Sequence, residues 1–104
     1  MINLLKKLFG LGPSIDFNEL MKQGAIVVDV RTKDEFKSSH IKGAINIPLN
    51  TLPQRVKELN PNKPIITCCA SGMRSASARS ILKSKGFKQV YNGGGWTSLK
   101  NKLN

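Results

Sequence analysis

Short apolar runs alternate with amphipathic stretches along most of the chain. Four of the runs are apolar on both faces or rich in β-branched residues, which predicts strands. In chain order they are AIVVDV (25–30), AINIP (44–48), PIITCC (64–69) and QVYN (89–92). Strands that alternate with helices are typical of an α/β protein with a mainly parallel sheet and right-handed crossovers.

The helices between these runs are marked by capping residues. Asp16 with Glu19 three positions later has the spacing of a capping box, and Thr32 is a second candidate N-cap. Gly24 and Gly86 suit the position just after a last helical turn. These signals predict helices within 14–24, 32–39, 50–60 and 75–85, and the glycines at 93–95 predict a flexible turn before a short last helix.

The length bounds the organisation of the chain. We expect 104 residues to form one domain, which we place at 14–104, with residues 1–13 as an amphipathic or flexible N-terminal extension. Lys6 and Lys7 interrupt the apolar run of that extension, so it does not resemble a signal peptide. No apolar stretch of membrane-spanning length occurs. We therefore expect a cytoplasmic monomer with no stable membrane insertion.

The net charge of +11 suggests an anionic partner. However, the lysines are scattered, and no aromatic residues alternate with them in the manner of a stacking platform for bases. We therefore interpret the charge as a solvated surface and expect no nucleic-acid partner. A positive field of this kind would still attract a small anionic substrate.

The chain has two cysteines, Cys68 and Cys69, and they are adjacent. Neighbouring cysteines cannot join distant loops, so a disulfide scaffold is excluded. A structural zinc site needs about four ligands, which two cysteines and one histidine do not supply. What remains for these thiols is packing or nucleophilic chemistry.

Cys69 ends a predicted strand, and Arg74 and Ser75 begin a predicted helix. In open α/β sheets, ligands bind beyond the carboxyl ends of the strands. Gly72 allows the intervening loop to curl so that its N–H groups form an anion-binding nest. This nest, the helix N-terminus and Arg74 would each lower the pKa of Cys69 and make it a nucleophile. Cys68 faces the opposite side of the strand and is predicted to be structural, or alternatively a resolving thiol.

Three motifs resemble the single-domain rhodanese family of sulfurtransferases. They are VVDVRTKDEFKSSHIKGAINIPL (27–49), CCASGMRSA (68–76) and GFKQVYNGGGW (86–96). The resemblance implies five mainly parallel strands flanked by helices on both faces. It also implies that a Cys69 persulfide carries sulfur from a small anionic donor, either thiosulfate or a persulfide, to cyanide or a thiol, which a partner protein can present. The implied reaction needs no metal and no organic cofactor. The implied donor-binding residues are Ala70, Ser71, Gly72, Met73, Arg74 and Ser75.

Other residues of these motifs are expected to support the loop. Asp29 and Arg31 can pair at the loop base, and His40 can act as an acid or base but suits a turn-fixing hydrogen bond better. Arg74 can bind the anion or instead pair with Glu35 or a carbonyl.

One departure from the family pattern and two alternative functions remain to be weighed against sulfur transfer. Many rhodaneses carry Arg directly after the cysteine, whereas this chain has Ala70, which places efficient thiosulfate turnover in question. A sulfur carrier that does not turn over, or a protein-binding rhodanese module, is one alternative. A phosphatase or arsenate reductase is another, although such loops have five residues between Cys and Arg and this chain has four.

Overall fold

The structure is a computed structural model and describes residues 14–104. Its strands are β1 (Ile26–Asp29), β2 (Ile45–Asn46), β3 (Ile65–Cys69) and β4 (Val90–Gly95). They form one sheet in the order β2-β1-β3-β4, and every neighbouring pair is parallel. The predicted α/β class is confirmed. The prediction of five strands is wrong for the described residues, which contain four, because the fifth came from the family resemblance and not from an apolar run of its own.

The helices are α1 (Phe17–Lys22), α2 (Lys33–Ser38), α3 (Leu52–Arg55), α4 (Met73–Ser84) and α5 (Trp96–Lys102). Short 3₁₀ turns, Leu49–Thr51 and Val56–Glu58, flank α3. The helix predicted within 50–60 is therefore present, but its α-helical part is shorter than predicted. Pro53 lies in the first turn of α3 and has no N–H to donate to the preceding turn, so the α-helix starts anew there.

The predicted caps are present at several helix ends. Thr32 and Glu35 form a reciprocal capping box at α2, and the Asp16 carboxylate accepts the Glu19 N–H at the start of α1. Gly24 and Gly86 follow the last turns of α1 and α4 with φ of +88° and +96°, a region that glycine enters without steric cost.

The sheet separates two hydrophobic cores, one on each face. Residues of β3 alternate between them: Ile65 and Cys69 join the core under α3 and α4, whereas Ile66 and Cys68 join the core under α1 and α5. The helices therefore cover both faces, as expected. None of the helices within residues 14–104 is both long enough and apolar enough to cross a bilayer.

The glycine triplet at 93–95 belongs to β4 and not to a turn, so that prediction is wrong. A Cβ on Gly93 would lie 2.8 Å from the Thr67 carbonyl oxygen, and a Cβ on Gly95 would lie 2.9 Å from the Ala70 carbonyl oxygen. Close approach of β4 to β3 and to the segment after it requires glycine at both places. The end of β4 thus lies directly against the residues that follow Cys69.

Candidate active site

The carboxyl ends of β1, β3 and β4 meet at one edge of the sheet and place the candidate residues there. Asp29 is in register with Cys68, and Cys69 is in register with Gly95. Residues 70–72 then leave β3, and α4 begins at Met73. Gly72 is the N-cap of α4 with φ of +108°, so the chain turns back over Cys69 at a residue that tolerates a left-handed backbone.

The Cys69 sulfur lies inside this turn. The Gly72 N–H donates to Sγ over 2.9 Å, and Ser75 Oγ lies 3.4 Å from the same sulfur. Burial raises the pKa of Cys69, but its hydrogen bonds with the Ser75 side chain and with the N–H groups of Ser75, Gly72 and Ser71 outweigh burial, so the pKa lies below its usual value. The arrangement favours a thiolate held by neutral donors.

A polar network fixes Ser75. Its Oγ lies 2.6 Å from Asn92 Oδ1 and 3.0 Å from the Gly72 carbonyl oxygen. Asn92 Oδ1 also accepts the Gly94 N–H over 2.8 Å, and the Thr67 hydroxyl donates to the Ser75 carbonyl oxygen over 2.8 Å. Sequence reasoning missed Asn92. A polar residue in a strand directly before the glycine triplet was the available signal.

Cys68 has a different environment from its neighbour. It is fully buried in the core on the other face of the sheet. Burial, reinforced by the carboxylate of Asp29, raises the pKa of Cys68 to about 12. The thiol therefore stays protonated at neutral pH and is shielded from solvent. This environment favours the structural role predicted for Cys68.

Arg74 pairs with Glu35 from α2. Its guanidinium donates to both carboxylate oxygens, over 2.7 and 3.1 Å, and just over a third of each side chain is exposed. Glu35 also accepts the Thr32 N–H in the capping box. These hydrogen bonds, that from Arg74 foremost, lower the pKa of Glu35 to about 2. The geometry shows the pairing alternative for Arg74, and anion binding by Arg74 stays a prediction.

Asp29 and Arg31 form a buried ion pair at the base of the site. Arg31 Nη2 lies 2.7 Å from Asp29 Oδ2, and Nε donates to both carboxylate oxygens. The guanidinium also donates to the carbonyl oxygens of Glu35 and Ser39 and lies 4.7 Å from the ring centre of Trp96. Arg31 therefore joins the end of β1 to α2, the helix whose Glu35 pairs with Arg74.

His40 and the side chains of the remaining loop residues do not take part in the Asp29–Arg31 pair or in the Ser75 network. His40 Nδ1 is 2.7 Å from the Phe36 carbonyl oxygen, and the two rings stack at 3.8 Å. Ala70, Ser71 and Met73 are exposed on the loop, Met73 by 81%. The roles predicted for these residues stay predictions. No group of three His, Cys, Asp or Glu side chains within 14–104 is arranged to hold a metal ion.

The structure is a parallel α/β sheet with a cysteine at the end of a strand, enclosed by the turn that leads into a helix. The chain belongs to the rhodanese-like family, since the Rhodanese-like domain model matches residues 15–102. It is 35% identical over 72 residues to "Thiosulfate sulfurtransferase GlpE" of Pseudomonas syringae pv. syringae, covering 69% of this chain and 68% of that protein. The predicted family is therefore confirmed.

Two further comparisons agree. The chain is 42% identical over 66 residues to "Putative sulfur carrier protein YrkF" of Bacillus subtilis, covering 64% of this chain and 36% of that protein. It thus spans about a third of YrkF, and 54% of a second Bacillus subtilis relative. A solved structure, "rhodanese with anions from E. coli", superposes with a TM-score of 0.67 at 32% identity, covering 71% of this chain and 89% of that one.

Proposed function

We propose that this protein is a sulfurtransferase in which Cys69 carries the sulfur as a persulfide. The observation that carries the proposal is the placement of Sγ, 2.9 Å from the Gly72 N–H at the end of β3. A thiolate there is stabilised without being capped by a side chain of opposite charge. The donors are thiosulfate or a persulfide, and the acceptors are cyanide or a thiol.

The reaction has two displacement steps. In the first, the Cys69 thiolate attacks the outer sulfur of the donor; a new S–S bond forms, the donor S–S bond breaks, and sulfite or a thiolate leaves. In the second, the acceptor attacks the outer sulfur of the Cys69 persulfide and the Cys69 thiolate is released. Neither step needs an external oxidant or reductant.

The loop N–H groups have a role in both steps. They stabilise the thiolate before the attack, and an anionic persulfide needs the same donors once its charge has moved outward by one sulfur atom. Gly72, Ser71 and Ser75 supply hydrogen bonds to Cys69. Donors fixed by the fold need no reorganisation during the reaction, which is the general advantage of a preorganised anion site.

Intact mass after incubation with thiosulfate and with an alkyl persulfide tests the proposal. We expect a gain of about 32 Da, reversed by cyanide or dithiothreitol. Cys69→Ser should gain nothing, and the matched variant Cys68→Ser should load as the wild type does. Failure to load from either donor, or loading that survives in Cys69→Ser, would refute the proposal.

A sulfur carrier is the second candidate, favoured by the similarity to YrkF. A carrier forms the same persulfide but depends on a partner for each loading. Thiocyanate formation from thiosulfate and cyanide separates the two, because an enzyme produces many equivalents per chain and a carrier about one. A cytoplasmic location stays a prediction.

A further inference from the structure

The cations closest in sequence to the Cys69 site are already engaged. Arg74 follows Cys69 in the loop, but its charge is paired with Glu35, to which two of its three guanidinium nitrogens donate. Arg31 at the loop base is buried and paired with Asp29. Ala70, the residue directly after the nucleophile, is exposed and has no charge. The groups that hydrogen-bond to the Cys69 sulfur are instead backbone N–H groups and the neutral side chain of Ser75.

This distribution of charge bears on the donor. Thiosulfate is a dianion, so its reaction brings two negative charges to a thiolate and releases a sulfite dianion. Neutral N–H donors stabilise one charge well, but three neighbouring negative charges call for a free cation at the mouth of the site. Within the described part of this site, each nearby guanidinium has its own carboxylate.

An alkyl persulfide makes a smaller electrostatic demand. In its protonated form, RS–SH, it is neutral, and the step is Cys69–S⁻ + RS–SH → Cys69–S–SH + RS⁻. One S–S bond breaks and one forms, the proton stays on the transferred sulfur, and the number of negative charges remains one. Neutral donors around a single anionic sulfur suffice for such a step.

The surface beside the loop has room for a carbon-bearing donor. A shallow hollow is lined by Val30, Pro48 and Leu49 together with Thr32, Asn50 and Arg74. Arg74 of the loop lines this hollow, and Val30 and Leu49 pack in the same hydrophobic core as Cys69, so the hollow lies beside the loop. Its walls are mostly carbon, which suits the alkyl part of a thiol and not a sulfonate group.

We propose that the natural sulfur donor is an alkyl persulfide whose carbon body lies in this hollow, and that thiosulfate is a poor substitute. This inference rests on the proposed function of Cys69. The net charge of +11 does not oppose it, since a field from scattered lysines attracts every anion and is screened by salt. Selection between donors depends on charges at the loop itself.

The test compares second-order rates of Cys69 persulfidation, measured by mass at one pH and physiological ionic strength. The donors are thiosulfate, glutathione persulfide and the persulfide of a short cysteine peptide. We expect both persulfides to react at least about tenfold faster than thiosulfate, the free-energy equivalent of about 1.4 kcal/mol. The faster of the two persulfides then identifies a small-thiol or a protein-like source.

Ala70→Arg supplies the missing cation and should raise the thiosulfate rate about tenfold while changing the persulfide rates far less. Met73→Lys, at the 81% exposed position, adds a cation at the same rim should the first variant fold poorly. Ser77→Arg is the matched control, because it adds the same charge on the exposed face of α4. It should leave the ratio between donors unchanged.

Two results would overturn the inference while the proposed function stands. One is wild-type loading from thiosulfate as fast as from either persulfide. The other is an equal rise in the thiosulfate rate for Ala70→Arg and Ser77→Arg, because the net charge and not the local site would then set the preference. Failure of all donors to load Cys69 would instead remove the proposed function itself.

Discussion

The hydroxyl of Ser75 offers a direct test of how the fold activates Cys69. Ser75→Ala removes the hydroxyl that lies 3.4 Å from Sγ but keeps the backbone N–H that also serves the sulfur. Ser75 is fully buried, and alanine is smaller, so the change introduces no clash. The expected effect is a higher pKa of Cys69.

The magnitude follows from the geometry of the hydroxyl. A hydrogen bond to a charged group contributes roughly 1.5–3 kcal/mol. The distance of 3.4 Å is long, and oxygen acceptors at 2.6 and 3.0 Å compete with the sulfur for the single proton of the hydroxyl, so the contribution lies below this range. About 1.4 kcal/mol corresponds to about one pKa unit, and we expect Ser75→Ala to raise the pKa of Cys69 by that amount.

The assay is the rate of alkylation by iodoacetamide as a function of pH, followed by mass. Cys68 should not interfere, because its pKa is raised to about 12 whereas that of Cys69 is lowered, and Cys69→Ser verifies this. Ser77→Ala on the exposed face of α4 is the matched control and should leave the midpoint in place. Equal midpoints for Ser75→Ala and the wild type would refute the claim that this hydroxyl stabilises the thiolate.

Three further predictions concern the frame of the site. Gly95→Ala should cost about 1–3 kcal/mol of stability and slow persulfidation about tenfold, because the new Cβ would lie 2.9 Å from the Ala70 carbonyl oxygen and displace the loop. Urea unfolding measures the stability, and the rate of sulfur loading measures persulfidation. Asp29→Asn should cost about 3 kcal/mol in urea unfolding, since it leaves the Arg31 guanidinium buried without its counter-charge. The wild type should lose stability as pH falls from about 4.5 towards about 2, because Glu35 is then protonated and its pair with Arg74 is lost. Glu35→Gln should lack this acid-sensitive part of the stability, which is about 1 kcal/mol or less for a partly exposed pair.

One control serves the last two variants. Glu58→Gln breaks the exposed pair with Arg55 and should change the stability far less than Asp29→Asn does. A cost for Asp29→Asn as small as this would contradict the account of the buried pair. The pKa of Glu35 in the folded protein lies below its unfolded value, so the ion pair stabilises the fold above about pH 4.5 and this stabilisation is lost in acid. An equal loss of stability in acid for Glu35→Gln and the wild type would contradict the role of this pair. A fully active, equally stable Gly95→Ala would show that the loop yields to the added methyl group.

Much of the fold was predictable because local signals and burial agree. The run 64–69 is apolar at nearly every position and forms the fully buried strand β3. Thr32 with Glu35 predicted the start of α2, since the capping box is a local motif. The placement of Cys68 and Cys69 on opposite faces followed from the two-residue period of a strand.

The errors arise where distant contacts override local preference. Glycine disfavours strands, so the triplet at 93–95 suggested a turn, but Gly93 and Gly95 are in β4 because Thr67 and Ala70 leave no space for a Cβ. The pairing of Arg74 with Glu35 joins residues 39 positions apart, and the sequence allowed it only as an alternative. The contact between Asn92 and Ser75 had no motif to reveal it.

The central claim, that Cys69 carries the sulfur, is tested most directly by locating the transferred atom and then releasing it. Both cysteines fall in the tryptic peptide 58–74, since Pro64 protects the bond after Lys63, so fragmentation must distinguish the two sulfurs. After loading with an alkyl persulfide and alkylation, we predict one extra sulfur on Cys69 and none on Cys68. Cyanide added before alkylation should remove it as thiocyanate. An extra sulfur on Cys68, or one on Cys69 that cyanide does not release, would contradict the account.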